Sequence, residues 1–265
     1  MIQKHVKRML ENSDPKQDPR YLTSVEKGFR VLDALSVNSG PMSLTEISRK
    51  TELTVPTLQR LTSTLVEAGY VQKEMSSKRY RPTVKTVDLL FSYLSRNQFA
   101  NRAWPHLVKL REDLGLDVSL SVPLGSSMIY VHRLPGYSGN FENTLPGKKV
   151  PMHYSASGRC ILSQKSRDEI ESYVSAAEVT PLTPWSISNP AELVDEIYLC
   201  RERGYALVKQ EASPGIMTIA CPVIREGEAF AGISVHVPAA GTAPASFIDK
   251  VLLPVVLVSQ ALSSG

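Results

Sequence analysis

The residues best suited to specific hydrogen bonding lie in the stretch LTVPTLQRLTSTLVEAGYV, residues 53 to 71. Its leucines recur at helical spacing, so they share one face of a helix and leave hydroxyl, amide and guanidinium side chains on the other. Arginine can donate two hydrogen bonds to guanine and glutamine can pair with adenine, each contact giving about 1 to 3 kcal/mol of discrimination between bases. The candidate contact residues are Thr54, Pro56, Thr57, Gln59, Arg60 and Ser63.

Two shorter patterns predict the helices that position this stretch. Thr23 followed by Glu26 fits a capping box and opens a first helix, whose apolar face is Val25, Phe29, Leu32 and Leu35. Ser43 followed by Glu46 opens a second helix, and Thr54 is expected to cap the third. Two helices joined by a tight turn, with a polar outer face on the second, indicate a helix-turn-helix.

A basic hairpin is predicted directly after these helices. YVQKEMSSKRYRP, residues 70 to 82, indicates two short strands around the polar tip MSSK. Its Lys73, Lys78, Arg79 and Arg81 suit phosphate contacts. The alternative is a helical packing unit with a merely solvated face, but such a face would more naturally carry Glu and Lys than Thr, Ser, Gln and a single Arg.

Charge is divided unevenly along the 265 residues. Residues 1 to 100 hold 16 Lys and Arg against 10 Asp and Glu, whereas residues 101 to 265 hold 14 against 16. A polyanion is therefore expected to meet only the front of the chain. No signal peptide and no run approaching 18 apolar residues is evident, which favours a cytoplasmic protein without a membrane partner.

The remaining pattern predicts a linker helix and a larger α+β domain. Residues 84 to 98 are helical in pattern and carry Val87, Leu90, Phe91 and Leu94, an apolar surplus that favours contact with another part of the chain or another copy of it. Strand-like runs then follow, among them DVSLSVPL, SMIYVHRL, IMTIACPVI and AFAGISVHV, separated by helical stretches near 167 to 177 and 190 to 203 and followed by a last helix from about residue 245. Such an order indicates an antiparallel sheet with helices.

Several segments in this order resemble the IclR-type bacterial transcriptional regulators. They are SVEKGFRVLDAL, SLTEISRKTELTVPTLQRLTSTLVEAGYV, YRPTVKTVDL, VPMHYSASGRCIL, RERGYALVKQE and GIMTIACPVIREGEAFAGISV. The polar residues 1 to 20, interrupted by Pro15 and Pro19, predict a flexible arm. The resemblance covers about residues 21 to 262 and implies a winged helix-turn-helix (21–82), a linker and dimerisation helix (83–103) and a GAF-like effector domain (104–265). It also implies a homodimer or homotetramer, acting as repressor or activator, that binds a roughly palindromic double-stranded DNA operator and a small organic or aromatic acid.

Small residues in HYSASGRC lie where a strand-like run gives way to a helix, so free N–H groups at Ala156 and Ser157 are candidates to hold a carboxylate. The resemblance extends the effector site to Val150, Ala156, Ser157, Gly158, Thr218, Ser234 and His236. His236 stands where relatives commonly have a small polar residue, and it is either a pocket residue or a satisfied strand residue in the core. Arg133 is either a second carboxylate partner or a surface residue, and alternation along the strand places His132 on the opposite face.

No enzyme, metal or cofactor motif is present. The sequence lacks G-x-S-x-G, H-E-x-x-H, a P-loop and G-x-G-x-x-G, and SVEK at Ser24 matches S-x-x-K by chance. The odd cysteine count and the absence of C-x-x-C argue against disulfides and zinc. The competing functions are a DNA-binding architectural protein without an effector and an enzyme with a regulatory fold.

Overall fold

The computed structural model describes residues 20 to 38, 40 to 137, 145 to 177 and 179 to 264. Within these residues the chain forms two compact units, one ending at Tyr93 and the other beginning at Leu94. The predicted flexible arm lies, apart from Arg20, outside the described residues.

The N-terminal unit is a helix-turn-helix with a hairpin wing. Its elements are α1 (Thr23–Ser36), α2 (Leu44–Thr51), α3 (Val55–Glu67), β1 (Val71–Lys73) and β2 (Tyr80–Pro82). The two strands pair antiparallel, and a bridge from Tyr80 to Met42 ties the hairpin to the chain just before α2. Its core contains Val31, Leu35, Met42, Ile47, Leu53, Leu58, Val71 and Tyr80.

The capping residues predicted for the helices of this unit are confirmed only in part. The Ser43–Glu46 capping box is confirmed, with both reciprocal hydrogen bonds present. The Thr23–Glu26 box is wrong, because Leu22 is the N-cap residue of α1 and provides no side-chain cap. Thr54 is the N-cap of α3, but its hydroxyl contacts the Thr57 hydroxyl instead of a backbone N–H.

The predicted apolar face of α1 is only partly buried. Leu35 lies in the core together with Val31, whereas Val25 and Phe29 are 51% and 60% exposed. Burial is confined to the C-terminal half of α1. The apolar residues of its first half stay at the surface, although they have the same helical spacing.

The chain continues through α4 (Thr86–Arg96), the predicted linker helix, which has no buried residue. The C-terminal unit then comprises α5 (Gln98–Leu114), β3 (Asp117–Leu124), β4 (Ser127–Leu134), β5 (Lys149–Pro151), a 3-10 turn (Met152–Tyr154), α6 (Ala156–Leu162), α7 (Arg167–Ala176), α8 (Pro190–Arg203), β6 (Ala206–Lys209), β7 (Ile216–Arg225), β8 (Glu228–Pro238) and α9 (Pro244–Ser263). Helix α5 begins after Asn97, whose side chain accepts a hydrogen bond from the backbone N–H of Ala100.

Among the described residues, six strands form one antiparallel sheet in the order β5-β4-β3-β8-β7-β6. Strand alternation gives this sheet two different faces. One is apolar, with Val118, Leu120, Ile219, Ile233 and Val235 packed beneath α5 and α9. The other carries small and polar residues, Ser119, Ser121, Thr218, Ala220, Ser234 and His236, and α6 packs on this second face across β7 and β8. The predicted α+β class with a GAF-like antiparallel sheet fits this architecture.

Helix α9 is long and apolar enough, at a mean hydropathy of 1.6, to span a membrane by length and composition. Asp249, Lys250 and Gln260 interrupt it, so no run of the sequence approaches 18 apolar residues, as predicted. Its Phe247, Val251, Val255 and Leu262 are 3% exposed or less and belong to the core beneath β7. Only the face of α9 that carries these residues is buried, whereas Leu253 and Leu257 are 65% and 56% exposed.

Candidate functional site: a polar helix face and a cationic cavity

The polar side of α3 is exposed and largely uncommitted. Leu58 is fully buried, whereas Gln59, Arg60 and Ser63 lie at the surface. The side chains of Gln59 and Arg60 have no hydrogen-bond or ion-pair partner among the described residues. Thr62 differs, because it is buried and its hydroxyl donates to the Leu58 carbonyl at 2.8 Å. The packing thus anchors the helix and leaves its donors free for a partner.

The cationic side chains of the hairpin differ in whether they are bonded within the unit. Lys73 and Lys78 are exposed, and Lys78 adopts a positive φ of 56° at the tip. Arg79 is used inside the unit instead, where it donates to the Pro41 carbonyl at 2.8 Å and pairs with Glu46 at 3.1 Å. The Arg79 guanidinium thus joins the wing to the start of α2, while its predicted contact with DNA stays a prediction.

A cavity of about 390 Å³ opens on the polar face of the C-terminal sheet. Arg133, Val150, Thr218 and His236 line it, as do Asp117, Tyr130, Lys148, Val208 and Ile216 and the loop residues Ala212 and Ser213. This volume lies within the range of about 300 to 1,000 Å³ that is usual for small-molecule sites.

A β-bulge determines which side chains of β4 reach the cavity. Ser119 pairs with Arg133 and Ser121 pairs with Tyr130, so β4 has one more residue than β3 between these pairs. The extra residue reverses the alternation and places Tyr130 and Arg133 on one face. The Arg133 guanidinium therefore lies 4.2 Å from the centre of the Tyr130 ring. The structure thus places Arg133 at the cavity.

His132 has the opposite orientation. Its Nε2 lies 3.2 Å from the Ala100 carbonyl oxygen, and its ring packs against Trp104 at 5.1 Å between centroids. Both partners belong to α5, on the apolar side of the sheet. Burial lowers the pKa of His132.

His236 has hydrogen-bond partners at both ring nitrogens. Nδ1 lies 2.9 Å from the Thr218 hydroxyl, and Nε2 lies 3.0 Å from Ser119 Oγ and 3.2 Å from Ser234 Oγ. Burial, with Arg133 and Lys148 nearby, lowers the pKa of His236 to about 3. The imidazole is thus neutral. It lines the cavity, and its nitrogens are hydrogen-bonded to residues of the sheet. The two alternatives, a pocket residue and a satisfied strand residue, therefore apply together.

The predicted backbone carboxylate site lies apart from this cavity. Ala156 and Ser157 are 3% and 2% exposed and Gly158 is buried, and none of them lines the cavity, nor does Ser234. Close packing explains this position, because a Cβ on Gly232 would lie 2.5 Å from that of Ser157. Helix α6 is therefore pressed onto β8 at its N-terminus.

Sequence reasoning missed a buried ion pair beside the cavity. Arg159, 1% exposed, binds Glu211 through two hydrogen bonds of 2.9 and 2.6 Å, and its Nε donates to the His153 carbonyl. Glu211 directly precedes Ala212 and Ser213, so the pair fixes the loop that lines the cavity. The partners are 52 positions apart in the sequence, so no local pattern indicates the pair. Asp117, Tyr130 and Lys148 were also missed.

Metal and thiol chemistry receive no support from the described residues. No group of three or more His, Cys, Asp or Glu side chains among them is arranged to hold a metal ion. Cys160, Cys200 and Cys221 are free and buried. Burial raises the pKa of Cys221 to about 12, so this thiol is a core residue rather than a nucleophile.

Known proteins match both units. The IclR helix-turn-helix domain matches residues 24–74, and the bacterial transcriptional regulator IclR C-terminal domain matches residues 91–263. The HTH-type transcriptional regulator BhcR of Paracoccus denitrificans is 26% identical over 84% of this chain and 80% of its own length. The Pca regulon regulatory protein of Pseudomonas putida is 25% identical over 92% of this chain and 83% of its own.

A solved structure supports the fold. An IclR homologue from Microbacterium hydrocarbonoxydans, complexed with 4-hydroxybenzoate, matches with a TM-score of 0.71 at 18% identity, covering 91% of this chain and 100% of that one. The C-terminal domain match alone spans well over half of the sequence. The chain belongs to the IclR family of bacterial transcriptional regulators.

Proposed function

We propose that the protein binds a roughly palindromic DNA operator through its winged helix-turn-helix and responds to a small organic or aromatic acid bound in its C-terminal unit. The observation that carries this proposal is the exposed polar side of α3, whose Gln59 and Arg60 have no partner among the described residues. A recognition helix needs such donors to reach base edges in the major groove. Thr54, Pro56, Thr57 and Ser63 complete the proposed reading surface.

The DNA contacts divide into reading and anchoring residues. Arg60 is proposed to contact a base, whereas Lys73 and Lys78 contact phosphates. An operator is first selected from random double-stranded DNA with the full chain. Arg60→Ala is then expected to lose about 1 to 3 kcal/mol of discrimination between bases at one operator position. Lys78→Ala is expected to weaken binding to all DNA sequences alike and to reduce the slope of log affinity against log salt concentration by about 1. Equal affinity of the wild type for selected and random DNA would contradict the proposal.

The effector assignment is supported by the residues that line the cavity and by two proteins to which the chain is similar. Arg133 and Lys148 give the cavity a cationic end, which suits an acid. One relative is a Pca regulon regulatory protein and one structural homologue is complexed with 4-hydroxybenzoate. Val150, Thr218 and His236 are the further proposed contacts in the cavity. Ala156, Ser157 and Gly158 at the start of α6 and Ser234 on β8 remain proposed contacts outside it.

An architectural protein without an effector is the competing function. Thermal-shift measurements with small carboxylates and phenolic acids distinguish the two, because a ligand that binds the native state raises the melting temperature with concentration. If no compound moves the melting temperature, the architectural function is favoured. Turnover of any of these acids would instead indicate an enzyme, which this proposal excludes.

A homodimer or homotetramer is proposed, with α4 within the linker segment 83–103 as the dimerisation helix. Its Val87, Leu89 and Phe91 are 53%, 56% and 69% exposed. Effector binding would shift the population between assemblies whose recognition helices fit or miss the half-site spacing. Phe91→Asp is expected to weaken assembly in sedimentation experiments, and an unchanged assembly with full effector response would count against the role of α4. The protein is expected to act in the cytoplasm, where the operator is.

A further inference from the structure

The cavity contains an excess of positive charge. Among its described lining residues, Arg133 and Lys148 are cationic and Asp117 is anionic, which leaves a formal charge of +1 with His236 neutral. Asp117 is already engaged, because its Oδ1 accepts a hydrogen bond from the Gly136 backbone N–H at 2.7 Å. One monoanion would therefore balance the charge of this site, whereas a dianion would reverse it.

Arg133 is the group best prepared to receive that anion. The bulge in β4 holds its guanidinium over the Tyr130 ring, and its Nε is buried with no partner among the described residues. Burial lowers the pKa of Arg133, against the opposing effects of Tyr130 and Asp117. A guanidinium that stacks by its face keeps its edge donors for the two oxygens of a carboxylate.

The lining formed by His236 and the apolar residues offers few free hydrogen-bonding groups. His236 lines it, but both ring nitrogens are already bonded to Ser119, Ser234 and Thr218, so the ring presents mainly carbon atoms. Val150, Val208 and Ile216 line the cavity beside it. This region suits an apolar body rather than a polyhydroxylated one, because sugar hydroxyls buried there would lose water without gaining enough partners.

We infer that the effector is a compact monocarboxylate with an apolar body, and that its carboxylate binds the Arg133 guanidinium while its body packs against Val208, Ile216 and the His236 ring. The inference rests on the proposed effector function and refines it. The start of α6, closely packed on β8, is then not the carboxylate's principal partner.

Calorimetric titration of the full chain tests the orientation with acetate, hexanoate, benzoate and phenylacetate as probes, and with benzamide as the uncharged counterpart of benzoate. The key variant is Arg133→Met, and Arg201→Met, which removes an exposed cation from α8, is the matched control. For the monocarboxylate that the wild type binds tightest, Arg133→Met is expected to weaken binding at least about 30-fold, the lower end for removing one partner of a buried charge pair. Arg201→Met is expected to leave binding within about two-fold, because salt screens a distant surface charge. Benzamide should bind weakly and be insensitive to Arg133→Met.

The charge of the ligand is tested separately. Terephthalate, a dianion, is expected to bind more weakly than its monomethyl ester, which has nearly the same shape and one charge. Tighter binding of the dianion would overturn the monocarboxylate assignment. If Arg133→Met does not fold, Arg133→Lys serves instead, with a loss of about 10-fold expected because lysine cannot form the bidentate pair.

The outcomes separate this inference from the proposed function. If wild type and Arg133→Met bind a monocarboxylate equally well, the assignment of Arg133 is overturned while the effector function stands. A loss of binding in a Ser157→Pro variant with full binding in Arg133→Met would likewise return the carboxylate to α6. If no carboxylate binds the wild type, the effector function for this class of ligand falls, and the inference falls with it.

Discussion

The two units use polar side chains in opposite ways. On α3 of the N-terminal unit, Gln59 and Arg60 are exposed and have no partner among the described residues. In the C-terminal unit, Arg159 and His236 are buried and each makes three hydrogen bonds. A surface that reads DNA keeps its donors free, whereas a unit that encloses a small ligand must satisfy polar groups inside the protein. Stability should therefore depend on polar residues in the second unit far more than in the first.

The largest effect is expected from Arg159→Met. The substitution leaves the Glu211 carboxylate buried without its bidentate partner, and breaking such a pair typically costs about 3 to 5 kcal/mol. Urea unfolding of the full chain measures the loss. The control is Arg167→Met, which removes a 2.7 Å pair with Asp195 whose side chains are 50% and 65% exposed, and which should cost far less stability because solvent screens an exposed pair. Similar losses in both variants would contradict the contrast. Adding Glu211→Leu to Arg159→Met should restore part of the stability, because no charge is then left buried.

A second pair of variants compares two helical glycines, one in each unit. A Cβ at Gly158 in α6 would lie 2.2 Å from the Met152 carbonyl oxygen, whereas a Cβ at Gly28 in α1 would meet nothing within 4 Å. Gly158→Ala is expected to destabilise by about 3 kcal/mol, because backbone must move. Gly28→Ala is expected to stabilise by about 0.5 to 1 kcal/mol, because alanine favours a helix. Thermal unfolding shows whether each variant raises or lowers the melting temperature. A higher melting temperature for Gly158→Ala would show that α6 is less tightly packed than the structure indicates.

The next effect concerns pH. The folded pKa of His236, about 3, lies below the ordinary value of 6.5, so below pH 6.5 the unfolded chain binds a proton that the folded chain does not. The free energy of unfolding should be unaffected above pH 6.5 and fall by about 1.4 kcal/mol per pH unit below it, or about 2 kcal/mol by pH 5. His236→Gln should remove this contribution. Urea unfolding at pH 7, 6 and 5 provides the measurement, and the same pH dependence in variant and wild type would contradict the assignment. His153, whose pKa burial lowers to about 4, adds a similar dependence that remains in both proteins.

Features that depend on neighbouring residues in the sequence were predicted, whereas features that depend on contacts between distant residues were missed. The runs DVSLSVPL and SMIYVHRL coincide with β3 and β4, and the 190 to 203 helix coincides with α8, because apolar periodicity is a local signal. The orientation of Arg133 was not predictable in this way, because the bulge that sets it exists only in the pairing of β4 with β3. The separation of Ala156 and Ser157 from the cavity depends likewise on the approach of α6 to Gly232. Elements came from local patterns, whereas the geometry of the site came from long-range packing.

The smallest effect is expected from Arg79→Ala in the wing. Its partner is Glu46, and both side chains are partly exposed, at 42% and 35%. Such pairs contribute about 0 to 1 kcal/mol, so the loss in unfolding free energy should stay below about 1 kcal/mol and shrink in high salt. Lys78→Ala provides the comparison, because Lys78 is exposed and its side chain has no partner among the described residues. Arg79→Ala should lower stability slightly with little change in the salt slope of DNA binding, whereas Lys78→Ala should change the slope and leave stability alone. If the two variants behaved alike in both measurements, the division of the hairpin into a structural and a DNA-contacting cation would be wrong.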